Sequence, residues 1–188
     1  MKIVLNFKFS LLIIVGILFT NCTSDKKSEQ YKSDLQLTEN LFNFTTKMTT
    51  KDTIKIFVNL DMEWWMRHDE LMITKNNDEI HLRTIIREDT TLLEPLEYGW
   101  RINNLGTITI RNENNEFEKH FALKSERIKA EFSKSLIYEI ITSNDTLKYH
   151  TKSLGDKGRE VNAYLKFMNS YYPNEKDFRP FEESQLNE

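Results

Sequence analysis

The chain is poor in cysteine, proline and glycine: of 188 residues, 1 is Cys, 3 are Pro and 5 are Gly. A single thiol excludes an internal disulfide and any Cys-x-x-Cys zinc clasp. The scarcity of Gly and Pro excludes collagen-like and linker-rich chains. No apolar run reaches the ~20 residues that a membrane-spanning helix requires. No basic stripe is present, since 26 basic residues are interspersed with 29 acidic ones; nucleic acid is therefore not an expected partner. The strained G-x-S-x-G turn of serine hydrolases is missing. No spacing that would hold a metal or cofactor is legible, and neither is expected.

What is present starts at the N-terminus. Lys2 and Lys8 are the only charges before Asp25, and between Phe9 and Phe19 runs the apolar stretch FSLLIIVGILF. A positively charged start followed by an apolar core of 7–15 residues is the pattern of a secretory signal. A buried helix would show a polar face, and this run has none.

The apolar run ends three residues before the lone cysteine, in Leu18-Phe19-Thr20-Asn21-Cys22. That segment resembles a lipobox, the processing site of bacterial lipoproteins. Phe19 stands where the family prefers Leu, and Asn21 where it prefers Gly, Ala or Ser. The resemblance covers residues 1–22 only. It implies cleavage before Cys22, diacylglycerol on its sulfur, and acylation of the freed amine. Multiple acyl chains anchor stably, at about 0.8 kcal/mol per buried methylene. Thr23 occupies the place where, in the enteric sorting rule, Asp retains a lipoprotein in the inner membrane, so the resemblance favours the outer membrane.

Loss of residues 1–21 would leave 167 residues, with 24 basic against 29 acidic and a net charge of −5. That length suits one domain with a real core. Residues 22–32 read as a lipidated tether, 33–173 as a single α+β domain and 174–188 as a charged, loosely held tail. Ser33 and Gln36 form a capping-box pattern. Leu37, Leu41, Phe44 and Met48 follow at 4-3-4 spacing, which predicts a helix over 34–49.

Ile54, Ile56, Val58, Leu60, Met62, Trp64 and Met66 then alternate without a break. Period two over this run predicts one long strand with one buried face. Glu70–Lys75 and Glu79–Arg87 flank Asn76-Asn77-Asp78 and predict a hairpin in which Lys75 faces Asp78, Ile73 faces Ile80 and Glu70 faces Arg83. Strand patterns continue through Tyr98–Ile102, Thr107–Arg111, Phe117–Leu123 and Ile128–Phe132. The last pair, Leu136–Thr142 and Thr146–Thr151, flanks Asn144-Asp145. Val161, Tyr164, Leu165, Met168, Tyr171 and Tyr172 share a helical face, with Asp156 as N-cap and Pro173 as stop. The expected architecture is an N-terminal helix, an antiparallel meander of seven to eight strands forming a curved sheet or half-open barrel, and a C-terminal helix.

On an uninterrupted strand, Asp61 and Glu63 share a face with Phe57, Trp65 and Arg67. Two carboxylates so placed suit general acid–base chemistry, although acidic residues at i and i+2 ordinarily line a solvated strand face. His68, His81, His120 and His150 lie in separate segments, and the adjacent His68-Asp69-Glu70 lacks metal-ligand spacing. Gly155-Asp156-Lys157-Gly158 reads as a turn and helix start. An exposed aromatic pair among charges, Phe57 and Trp65, is the better lead, as a surface for a partner.

Three functions follow as expectations. The first is a membrane-anchored envelope lipoprotein acting as a non-catalytic binding or accessory module, with another envelope protein as partner. The second is a carrier sheltering a lipid or other apolar molecule against the row Ile56 to Met66. The third is a hydrolase using Asp61 or Glu63.

Overall fold

In the computed structural model, residues 31, 33–63, 65–89, 99–111, 115–127, 135–151 and 154–181 are described. The chain divides into Met1–Tyr31 and Lys32–Glu188. The expected export segment, Cys22, Trp64, Tyr98 and the pattern Ile128–Phe132 lie outside the described residues.

The second unit contains α1 (Leu37–Asn40), α2 (Phe44–Lys47), β1 (Thr53–Asn59), β2 (Met66–Asn76), β3 (Glu79–Asp89), β4 (Trp100–Asn104) and β5 (Ile108–Ile110). There follow α3 (Glu116–Arg127), β6 (Ser135–Ile141), β7 (Thr146–Thr151), α4 (Leu154–Tyr171) and a 3-10 turn, Lys176–Phe178. The strands form an open, curved, antiparallel seven-stranded sheet in the order β4-β3-β2-β1-β6-β7, with β5 beside β4 on the edge of β3. It is a mixed α+β fold. The first four strands form a meander, and β6 returns across the sheet to pair with β1.

The expected helix over 34–49 is two single turns. Leu37, Leu41, Phe44 and Met48 are all buried, as their spacing requires. Ser33 does not form a capping box; its hydroxyl accepts from the Leu35 N–H at 3.0 Å, and Gln36 is the N-cap. Asn43 interrupts the run in a non-helical conformation. Thr45 and Thr46, poor helix formers, follow it.

The long strand over 54–66 is the main correction. The chain reverses between Met62 and Trp65, which exchange backbone hydrogen bonds of 2.6 and 3.3 Å. Leu60 N–H donates to the Arg67 carbonyl at 2.8 Å, and the same register runs on from Asn59↔His68 to Thr53↔Thr74. Every even position of β1 thus faces an odd position of β2. Cross-strand partners share a face, so Ile54, Ile56, Val58 and Leu60 point into the core with Trp65, Arg67, Asp69, Leu71 and Ile73.

The next hairpin is where the sequence places it, two residues out of the expected register. Asn76 pairs with Glu79, Ile73 with Leu82 and Glu70 with Ile85. Asn77 (φ 47°) and Asp78 (φ 63°) form the connection, and two left-handed residues match the twist of paired strands. A two-residue shift preserves the faces, so the burial pattern is unchanged. Lys75 and Asp78 meet as an ion pair across the turn, at 3.6 Å.

Phe117 to Leu123, expected as a strand, belongs to α3. Phe117 and Phe121 lie one helical turn apart, are fully buried, and have Glu116 and Glu118 in the helix's first turn, where its dipole favours acids. Helix α4 starts at Leu154, before the expected cap Asp156, and ends at Tyr171. Val161, Tyr164, Leu165, Met168 and Tyr172 are buried. The residues after Pro173 are not a loose tail as far as they are described. Phe178 is fully buried, and the Phe181 N–H donates to Asn162 Oδ1 at 2.9 Å.

Candidate functional site

The reversal at Met62–Trp65 separates the residues expected on one surface. Phe57 is 37% exposed, beside Glu70 and Glu139 on neighbouring strands. Trp65 and Arg67, expected beside it, are 6% and 1% exposed on the opposite, core-facing side. The row Ile56 to Met66 is likewise split: Ile56, Val58 and Leu60 are buried, whereas Met66 is 39% exposed on the open face. Glu63 is exposed in the reversal. Asp61 is engaged locally instead of pairing with it. One of its carboxylate oxygens accepts the Arg67 N–H at 2.9 Å, and the other meets His68 Nε2 at 2.9 Å.

Asp61 and His68 belong to a small polar cluster. Asn59 Oδ1 accepts from the Asp61 N–H at 2.9 Å and from Lys157 Nζ at 3.0 Å. Burial lowers the Lys157 ammonium below its usual range, and the charge of Asp61 only partly offsets this. A carboxylate that orients an imidazole is half of a general-base arrangement. His68 also stacks on Trp100, with centroids 5.7 Å apart and the rings 27° from parallel.

On the core side, a row of charges crosses three strands: Arg67 on β2 pairs with Glu88 on β3, which pairs with Arg101 on β4. Arg67 Nε and Nη2 donate to the two oxygens of Asp69, both at 2.8 Å. Tyr164 from α4 donates to Asp69 at 2.9 Å. Glu88 accepts from the Trp65 indole at 2.5 Å and from the Arg101 guanidinium.

The segment after α4 closes this row. Arg67 Nη1 donates to the Asp177 carbonyl at 2.5 Å. The Asp177 carboxylate accepts from Arg101 at 2.7 Å and from Asn103 at 3.1 Å. The Arg67 guanidinium also lies over the rings of Phe178 and Trp65, 5.1 and 5.5 Å from their centroids, within cation–π range. Burial opposes the charge on Arg67, but Asp69, with smaller contributions from Tyr164 and Asp177, prevails and raises the guanidinium above its ordinary value. Burial pushes the Tyr164 hydroxyl well up, and the charge of Asp69 adds to this. These groups satisfy one another, which makes the row an internal brace.

The face left open carries the surface features. Cross-strand rows on it run Trp100–Asp89–Met66, Ile102–Arg87–His68–Asn59 and Asn104–Ile85–Glu70–Phe57–Glu139–Lys148. Trp100 is 49% and Ile102 57% exposed. Alternation marks Trp100 and Ile102 only as strand residues; their place on an edge strand, bound inward through Arg101 and Asn103, follows from pairing that local pattern does not reveal. Elsewhere, a groove of about 470 Å³ lies between α2, the β2–β3 turn and β5, and its lining includes Lys75, Glu79, Thr109 and Arg111. Among the described residues, no group of three or more His, Cys, Asp or Glu is placed to hold a metal, and no helix is long and apolar enough to cross a membrane.

Compared with protein-family models, curated proteins and solved structures, the chain finds no match.

Proposed function

We propose that the chain is a lipid-anchored envelope lipoprotein whose domain acts as a non-catalytic binding or accessory module at a membrane surface. Residues 1–22 supply the address and, through Cys22, the anchor to the outer membrane. The observation that carries the binding role is the open face of the sheet. Of the six large apolar side chains exposed among the described residues, Phe57, Met66, Trp100 and Ile102 all stand there. Exposed aromatic and aliphatic side chains set among charges suit a partner surface, and the hydrogen-bonded row behind the sheet supports the strands that carry them.

A second reading, a hydrolase built on Asp61, draws on its 2.9 Å contact with His68. It predicts that His68→Ala abolishes an activity without unfolding the domain.

The test is native mass spectrometry of the protein extracted gently from its own envelope. A bare mass, or one paired with another protein, fits the module. A stoichiometric apolar molecule released only on denaturation contradicts it and favours the carrier.

A further inference from the structure

One corner of the open face differs from the rest of the sheet. Met66, Asp89 and Trp100 are neighbours on β2, β3 and β4, and the next row holds His68, Arg87 and Ile102. The aromatic and aliphatic members are exposed although their strands are regular. From behind, Arg101 and Asn103 are bound to Glu88 and Asp177, so β4 cannot roll inward to bury Trp100 or Ile102. The nearby polar groups engage one another: Arg87 meets Glu70 at 3.2 Å and His68 meets Asp61 at 2.9 Å. The result is an apolar corner with an indole at its rim, where Asp89 lies between Met66 and Trp100 and the one guanidinium, Arg87, is paired with Glu70. Such side chains settle at the boundary between headgroups and acyl chains. A polybasic surface, which would select anionic lipid, is not what this corner offers.

We infer that the Met66–Trp100–Ile102 corner docks on the bilayer that holds the chain's own lipid, an inference that rests on the anchored-lipoprotein reading. Chain length supports this occupant over others. Ten residues separate Cys22 from Ser33, and they extend to about 35 Å at most. The Ser33 N–H is held at 3.1 Å by Ser143, in the turn between β6 and β7. That turn lies four strand spacings from β4 and at the opposite end of the strands. At ~4.8 Å per strand and ~3.3 Å per residue, the diagonal to Trp100 is about 33 Å, just within that reach. The tether is therefore long enough for lipid and corner to enter one leaflet. Shared anchorage makes the docking intramolecular, which lowers the affinity that the three side chains themselves have to supply.

The experiment uses the lipoprotein purified with its acyl chains and placed in phosphatidylcholine vesicles, with and without brominated chains. The chain has 3 Trp, so Trp100 supplies on the order of a third of the emission. Bromolipid is expected to remove about that share, and Trp100→Phe to abolish most of the loss; Ile102→Lys should reduce it as well. Equal quenching of wild type and Trp100→Phe overturns the docking. So does a Trp100 that iodide reaches freely on vesicles but not in native envelopes, which assigns the corner to a protein. The mass of the N-terminal peptide from the same sample reports the lipid independently. Lipidated protein without Trp100-dependent quenching refutes the docking alone, whereas unlipidated protein refutes the anchor and removes the tether from the argument.

Discussion

Arg67 and Asp69, two positions apart on one strand, both point into the core and meet through a pair of 2.8 Å hydrogen bonds. Their cross-strand neighbours are Val58 on β1 and Leu60 just beyond it, so the ion pair is set in an apolar wall. Removing one partner leaves the other charged and buried, which costs about 3–5 kcal/mol. Arg67→Met and Asp69→Leu should each lower the urea midpoint severely. The double variant should lose much less than the sum of the two. A strictly additive result would mean that the pair is not coupled.

Asp177 binds the C-terminal segment to the sheet edge. Burial pushes its carboxyl up, but hydrogen bonds from Arg101 and Asn103 and the adjacent guanidinium charges prevail, holding it below the ordinary value of 3.8. Such a carboxyl takes up fewer protons folded than unfolded. Its contribution is therefore complete above about pH 5 and is lost as the pH falls through the folded-state value. Asp177→Asn should destabilise the domain at neutral pH and flatten the acid limb of its stability curve. A stability profile below pH 5 parallel to that of wild type would contradict this role.

Trp65 and Phe57 should respond oppositely to truncation. Trp65 donates to Glu88, packs edge-on to Phe181 with centroids 5.3 Å apart and is 6% exposed. Trp65→Ala should cost about 3–5 kcal/mol. Phe57→Ala, on the open face, should cost less than about 1 kcal/mol. Thermal melts of the two variants check both.

The contrast also shows how far local pattern reaches. Alternation identified every buried position from Ile54 to Leu60, because period two survives whatever the strand pairs with. It could not locate the reversal, since that turn contains no Gly, Asn or Pro, and the apolar alternation of even positions continues across it. From there each face assignment was inverted, which placed Trp65 and Arg67 outside. The charge row was illegible for a related reason. Arg67, Glu88, Arg101 and Asp177 are far apart in sequence, and a charged side chain is ordinarily read as exposed. Phe178 and Phe181 were the available sign that the segment after Pro173 is held. The β6–β7 hairpin and the buried face of α4 were legible because Asn144-Asp145 and the 3.6-residue period act locally.

Asn77 carries the left-handed backbone that lets β2 and β3 pair in their observed register. Asn77→Gly should leave the melting temperature near wild type. Asn77→Val should lower stability by about 1–2 kcal/mol, because a β-branched residue resists that conformation. Equal melting temperatures for the Gly and Val variants would remove the turn's role in setting the register.

The most direct test of the whole account is the N-terminus of the protein isolated from its own membranes. Mass spectrometry of the first peptide should show Cys22 as residue one, carrying diacylglycerol on sulfur, and Cys22→Ser should shift the protein into the aqueous fraction. An unmodified Cys22 within a longer chain, or a mature end elsewhere, would contradict the lipoprotein assignment.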